Sequence, residues 1–285
     1  MTGSYKDKIA YFLVMALYGT TGIIKRFVPA SSGFVALARS AIAMVFIYLF
    51  IVVSGRKIDF AAIRKNLKWL LIVGTLLGFN WVCYFEACTN TTVAKATLIY
   101  YMAPVIVIIL SPFLFREKLT LKKTICVAVA IIGMVLVSGV LSESGIGSVY
   151  GIVIAMLSAM LYAAIIICSR QVKDISSYDK TLVQLIIAFI CMLVYELLTE
   201  DFGAINLTPV QWMLVGVIGI LNTGIAYLVY FGSITKLSAQ SAAILAYADP
   251  TVSVLGSALI LGETLGANGI IGAVLMIGAM IVSET

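Results

Sequence analysis

The feature that most constrains this chain is a succession of long apolar blocks separated by short charged or polar breaks. A helix of roughly 20 apolar residues crosses a hydrocarbon core, so a chain built from such blocks has the bilayer as its solvent. Ten blocks can be read, at 9–28, 33–54, 67–87, 92–115, 121–141, 148–170, 178–198, 209–232, 238–262 and 266–283. Composition agrees: 62% of residues are hydrophobic and 11% charged, where a soluble domain is about half apolar and a quarter charged. Lys6 and Lys8 precede the first block as in a secretory leader. No small-residue cleavage site follows, and the block is expected to stay as the first helix.

Several blocks open on residues that cap helices: Ser32, Thr92, Thr120, Ser148, Ser177 and Ser238. Thr208 followed by Pro209 places proline at the first helical position. The short connections 88–91 and 116–120 imply antiparallel neighbours.

The charge of +6 is not gathered in an arm or on one face, so no nucleic-acid partner is expected. Lys6, Lys8, Arg56, Lys57, Arg64, Lys65, Lys68, Arg116, Lys118, Lys122, Lys123, Arg170, Lys173, Lys180 and Lys236 fall on one side of the ten-span topology. Lys25 and Arg26 stand on the other, beside the acidic connection Glu196–Asp201. The positive-inside rule then puts both termini in the cytoplasm of a multi-pass cell-membrane protein. The basic, amphipathic stretch Arg56–Lys68 is expected to lie on the inner membrane surface.

Cys83, Cys88, Cys126, Cys168 and Cys191 contain no CxxC pair and read as small packing residues, with no disulfide framework and no metal site. Histidine is absent, which removes zinc–histidine sites, Ser-His-Asp triads and histidine proton relays. No nucleotide-binding motif is present, so no cofactor is expected, and any driving force must be a gradient.

The two halves resemble each other. A shift of 146 residues lays Tyr84-Phe85 on Tyr230-Phe231, Trp81 on Tyr227, Tyr101 on Tyr247, Pro104 on Pro250, Ser111 on Ser257, Glu117 on Glu263 and Leu119 on Leu265. Leu17-Tyr18 falls near Leu161-Tyr162. Five spans per half is an odd number, so the second half enters the membrane from the opposite side, an inverted repeat of the kind secondary transporters use. The expected architecture is all-α and integral to the membrane: ten transmembrane helices in two inverted five-helix repeats, 1–141 and 148–285, around a central cavity.

These features carry a resemblance. The five-plus-five repeat, the stretches Ala94–Pro104 and Gln240–Pro250, Arg116-Glu117 and Gly262-Glu263 at the ends of those spans, and Arg39 in the second span make the chain similar to a ten-helix EamA-type member of the drug/metabolite transporter superfamily. The resemblance covers nearly the whole chain. It implies that spans 1–4 and 6–9 surround the cavity, with spans 5 and 10 outside, and that the cargo is a metabolite such as an amino acid, a sugar or choline, often moved outward.

Arg39, Glu86, Lys95 and Asp249 are the ionisable residues inside or at the ends of apolar blocks. Such charges face a partner or a wet cavity. Glu86 with Lys95 fits a structural pair across a hairpin. Asp249 precedes Pro250, and Pro104 is the repeat-mate of that proline. Proline denies a donor to the carbonyl four residues back, so both are candidate hinges. Asp249 and Glu86 are the candidates for proton coupling. Tyr18, Arg39, Trp81, Tyr101, Tyr162, Tyr227, Tyr247 and Asp249 are the candidate substrate-binding residues. The tyrosines suit stacking or cation–π contact; the alternatives are helix packing and interfacial belts. Gly74 and Gly78, and Ala155, Ala159 and Ala163, read as close-packing positions.

The leading expectation is a secondary transporter, in the exporting direction, of a small organic metabolite such as an amino acid or organic cation. It would work by alternating access as a monomer or homodimer. A channel or lipid scramblase is the alternative, and a membrane-embedded enzyme a further one. No catalytic dyad or Asp-rich metal motif supports an enzyme.

Overall fold

In lipid every backbone polar group must be satisfied within the chain, and apolar blocks without strand alternation meet that demand as helices. The computed structural model describes residues 5–115, 121–138, 148–169, 171–199, 205–234, 245, 248–263 and 265–284. Its helices are α1 (Tyr5–Arg26), α2 (Ser32–Val53), α3 (Phe60–Asn90), α4 (Val93–Tyr100), α5 (Met102–Phe115), α6 (Leu121–Ser138), α7 (Val149–Ser169), α8 (Ser177–Thr199), α9 (Pro209–Gly219), a π-helical turn (Ile220–Ile225), α10 (Ala226–Ile234), α11 (Ala248–Leu261) and α12 (Ala267–Glu284). They make ten spans, the fourth being α4 with α5 and the eighth α9 through α10. Among the described residues there is no strand. By length and apolarity alone, Ser32–Val53, Phe60–Asn90, Val149–Ser169, Ser177–Thr199 and Pro209–Tyr230 suffice to cross a membrane.

The helix starts follow local chemistry. Thr92 accepts from the Lys95 amide at 3.2 Å, and Ser148 from that of Gly151 at 3.2 Å. Thr208 and Gln211 form a full capping box with Pro209 in the first turn. Two expected caps are displaced by one residue. Ser31, not Ser32, caps α2, and the Ser176 hydroxyl, not that of Ser177, accepts from the Asp179 amide. Thr120 and Ser238 lie outside the described residues.

Two boundaries need larger correction. The stretch expected to lie apart on the inner surface is largely the start of α3, which runs unbroken over 31 residues from Phe60. Arg64, Lys65 and Lys68 decorate its first turns, where long basic side chains reach water while their stems stay on the helix. The fourth span breaks at Tyr101, which sits at φ −71°, ψ 3° between α4 and α5. Pro104 has no N–H, so the Tyr100 carbonyl lacks its ladder partner at this point.

Helices pack across the halves in a two-fold pattern. α2 lies on α8, α4 on α11 and α6 on α12, each span against its own repeat-mate. α3 on α7 is mirrored by α1 on α10. The α6–α12 crossing brings backbone against backbone: a Cβ on Gly133 would stand 2.7 Å from the Gly272 carbonyl oxygen, and one on Gly272 2.5 Å from that of Gly133. Gly74 and Gly78 of α3 face Ile187 and Met192 of α8, and Ala155, Ala159 and Ala163 are buried on α7. Outward-facing positions are apolar: Leu49, Ile132, Val153, Ile190, Met213, Leu259 and Val274 are all exposed. A water-facing surface would not carry such a continuous belt.

Candidate functional site

The packing leaves a cavity of about 490 Å³ between the halves, within the range of small-molecule sites. α1 contributes Tyr11, Met15, Tyr18 and Thr21, which recur at helical spacing on one face. Val73, Leu77, Asn80, Trp81 and Tyr84 come from α3, and Tyr162 and Ser169 from α7. Arg39, Lys180, Gln184, Tyr227, Tyr230 and Asp249 complete much of the wall, with Thr97, Tyr100 and Tyr101 from the broken fourth span. Seven candidate substrate-binding residues are thus brought to one cavity: Tyr18, Arg39, Trp81, Tyr101, Tyr162, Tyr227 and Asp249. Tyr247 lies outside the described residues.

Arg39 is held on three sides. It is 5% exposed. Its Nε donates to Thr223 Oγ1 at 2.6 Å and its Nη2 to the Asn222 carbonyl at 3.5 Å. The guanidinium lies 4.3 Å from the Trp81 ring centroid and 5.8 Å from that of Phe85, a cation–π arrangement. Both acceptors sit in the π-helical turn, whose sequence is Ile-Leu-Asn-Thr-Gly-Ile. The Asn222 amide also donates to the Leu17 carbonyl at 2.6 Å and to Thr20 and Thr21 hydroxyls at 3.0 Å. One irregular turn therefore ties α1, α2 and the eighth span together, and π-turns of this kind concentrate at functional places.

Asp249 occupies the first turn of α11, and its carboxylate accepts a hydrogen bond from the Tyr101 hydroxyl. That bond uses the residue at which the fourth span breaks. Pro250 is buried one residue on, while the carbonyl it would free, on Ala246, lies outside the described residues. Around these poles the rings form a lattice: Tyr100 stacks on Tyr162 at 4.9 Å and 10°, and Tyr18 meets Tyr227 edge-on at 6.2 Å. A hydroxyl chain, Tyr84 to Thr97 at 2.9 Å and Thr97 to Ser253 at 2.7 Å, bonds the two repeats through the fourth and ninth spans.

Glu86 is not on the cavity wall. Its carboxylate accepts from Ser32 Oγ at 2.8 Å and from Asn90 Nδ2 at 2.9 Å. The expected pair with Lys95 does not form among the described residues, because Glu86 is satisfied at the tip of the α3 turn by those two neighbours. The ion pairs described are Arg26–Glu263 at 3.1 Å and Lys65–Asp174 at 2.9 Å.

The first of these lies beyond one end of the cavity lining. The lining reaches Ser169 and Lys180 at the end of the bundle where α1, α3 and α8 begin, and stops at Thr21, Tyr84 and Thr97 short of the other. At that second end α11 terminates on Gly262 at φ +65°, the left-handed turn that glycine adopts without strain. The turn aims Glu263 at two elements, and its partner Arg26 reaches a third. Its Oε1 takes Arg26, its Oε2 accepts from the Val93 amide at 2.8 Å, and Arg26 also donates to the Thr89 carbonyl at 3.2 Å. Glu263 is thus a cap, as its place at a span end suggests, and a clasp as well. Glu117, its repeat-mate, lies outside the described residues.

Sequence reasoning singled out neither Asn80 nor the Asn222-Thr223 pair. Asn80 is 1% exposed and donates to the Ser158 carbonyl at 2.8 Å. The available signal was polarity: Asn80 and Asn222-Thr223-Gly224 each interrupt an otherwise apolar block.

A model of the EamA-like transporter family matches the chain twice, over residues 8–139 and 149–285. The chain is 28% identical over 250 residues to the uncharacterized transporter YxxF of Bacillus subtilis (strain 168), covering 87% of this chain and 79% of that protein. It is 27% identical over 184 residues to the pseudopaline exporter CntI of Pseudomonas aeruginosa (strain UCBPP-PA14), covering 65% and 62% of the two chains. One solved crystal structure aligns over 98% of this chain and 97% of its own, with a TM-score of 0.70 at 19% identity, a likeness of fold. With two matched repeats that together cover most of its length, this multi-pass membrane protein belongs to the EamA-like transporter family.

Proposed function

We propose that the chain is a secondary transporter that exports a small organic metabolite, an amino acid or an organic cation, by alternating access around the central cavity. The observation that carries this reading is one guanidinium and one carboxylate, Arg39 and Asp249, set among tyrosines in a cavity between the two repeats. Charges inside a membrane protein are expensive to keep, and their retention on a cavity wall points to cargo or coupling ion. Arg39 offers N–H groups to an oxyanion. Asp249 accepts an ammonium group or a proton, and the rings supply stacking and cation–π contact. With histidine absent and Glu86 off the wall, Asp249 is the leading carrier of a coupling proton.

The repeats, 1–141 and 148–285, act as the two moving bodies, with Pro104 and Pro250 as hinges where one span gives way against its mate. The basic connections support a cytoplasmic face for the Ser169–Lys180 end, and with it cytoplasmic termini and a place in the cell membrane. The export stated in the name of the Pseudomonas relative supports the outward direction. The described cavity wall comes from one chain, which supports a monomer, or a homodimer of independent cavities. The test is a thermal-stability screen of purified protein against amino acids and quaternary ammonium compounds, with wild type beside Asp249→Asn. Ligands that bind the folded state raise its apparent stability. The reading expects a zwitterion or cation to stabilise wild type and not the variant, and equal responses would remove Asp249 from the site.

A further inference from the structure

We propose that Gln184 is the second half of an oxyanion subsite, its side-chain amide donating beside the Arg39 guanidinium to one carboxylate of the solute. The inference rests on the reading of the cavity as the solute site. Gln184 is 7% exposed and lines the cavity. Its Nε2 is buried with no hydrogen-bond partner among the described residues, as is the Tyr18 hydroxyl on the same wall. An unmade bond on a buried donor is costly. A donor held in that state on a cavity wall is matched by an acceptor that arrives with a ligand.

The repeat supplies an independent observation. Gln184 stands 145 residues after Arg39, one short of the shift that aligns the later spans of each half. α2 and α8, which carry the two residues, are repeat-mates packed on each other. The pseudo-two-fold axis therefore runs between them, with Arg39 and Gln184 at mated positions on either side. One half contributes the charge and the other a neutral donor. Arg39 commits Nε to Thr223 and Nη2 to the Asn222 carbonyl, and Nη1 has no acceptor among the described residues. Nη1 and Gln184 Nε2 together present two donors to two oxygens. Arg39 and Lys180 set against Asp249 leave the cavity wall one positive charge in excess, which one carboxylate balances. A phosphate monoester, at −1.5 to −2, exceeds it, so the oxyanion class is a carboxylate.

The experiment uses full-length protein in detergent and four probes that share a phenyl body: 3-phenylpropionate, L-phenylalanine, phenethylamine and phenyl phosphate. Dissociation constants are measured for wild type, Gln184→Leu, Gln184→Glu and the shorter amide Gln184→Asn, and the unliganded melting temperature of each variant reports its folding. The expected result is that wild type binds the two carboxylates and not phenyl phosphate. Gln184→Leu then weakens both carboxylates by about tenfold or more, as loss of a bond to a charged group implies, and leaves phenethylamine unchanged. Gln184→Glu weakens them further, and Gln184→Asn falls between Leu and wild type. Carboxylate binding unchanged in Gln184→Leu overturns the proposal, as does an equal loss for phenethylamine, which would make Gln184 a packing residue. Wild type binding phenethylamine alone overturns the oxyanion subsite while the cation reading of the cavity stands. Binding of none of the four overturns both.

Discussion

The two ends of the cavity are built from different materials. The end where α1, α3 and α8 begin is lined by Ser169 and Lys180 and is framed by helix starts that carry Arg64, Lys65 and Lys68. Its one described ion pair, Lys65–Asp174, lies on the outside, with side chains 68% and 75% exposed. At the other end Glu263, 8% exposed, gathers Arg26 and the Val93 amide from two other elements. Just beneath, Gly22 of α1 leaves room for the Val93 side chain, the Cys88 thiol and the Tyr84 hydroxyl. The lesson concerns reversibility. An ion pair and a few hydrogen bonds hold an end shut with energies of order 1 kcal/mol apiece. A packed apolar plug of the same area would not release on a transport timescale. On the proposed mechanism the Arg26–Glu263 end is a clasp, and the α6–α12 crossing around Gly133 and Gly272, packed backbone on backbone, is a part that stays shut.

The largest effect comes from making the clasp permanent. Arg26→Cys with Glu263→Cys, oxidised to a disulfide in a chain whose native cysteines are replaced, is expected to abolish solute counterflow in proteoliposomes, and reduction to restore it. Removing the cavity cation has the next largest effect. Arg39→Gln loses charge-assisted bonds of about 1.5–3 kcal/mol, read as a ten- to hundredfold rise in the dissociation constant of a carboxylate probe, with the clasp untouched. Weakening the clasp has a smaller effect. Glu263→Gln removes about 1 kcal/mol of pairing and is expected to raise maleimide labelling of Cys88, which is fully buried, by about fivefold in a chain keeping that one cysteine. Smallest of all, Lys65→Ala at the open end is expected to change neither counterflow nor melting temperature. That pair is exposed on both sides, even though Lys65, through its hydrogen bond and charge, holds the Asp174 carboxyl below its usual range.

Much of this contrast is legible in the amino-acid sequence, and the rest is hidden for identifiable reasons. The spans and their repeat show because matched Pro, Tyr and Glu residues stand out against apolar blocks, and Tyr18, Trp81, Tyr84, Tyr101, Tyr162, Tyr227 and Tyr230 of the cavity wall are among those matches. The start of α3 is hidden because Arg64, Lys65 and Lys68 imitate a loop by composition while belonging to a helix that outruns the bilayer. The caps at Ser31 and Ser176 are hidden by neighbouring serines that qualify equally. The clasp joins residues 237 apart in sequence, and no periodicity records such a pairing. The π-helical turn at Ile220–Ile225 leaves only the polar Asn222-Thr223 step as a trace, since a π-turn is set by what its side chains must reach, here Arg39 and α1.

The most direct test of alternating access is side-specific labelling of Leu77→Cys, a cavity position, in a chain with no other cysteine, using an impermeant maleimide on everted and right-side-out vesicles. The account predicts fast labelling from the cytoplasmic face and slow labelling from the other face, with the slow rate rising and the fast rate falling in Glu263→Gln. Fast labelling from both faces at once, unchanged by Glu263→Gln, would mean a continuous pore and would contradict it.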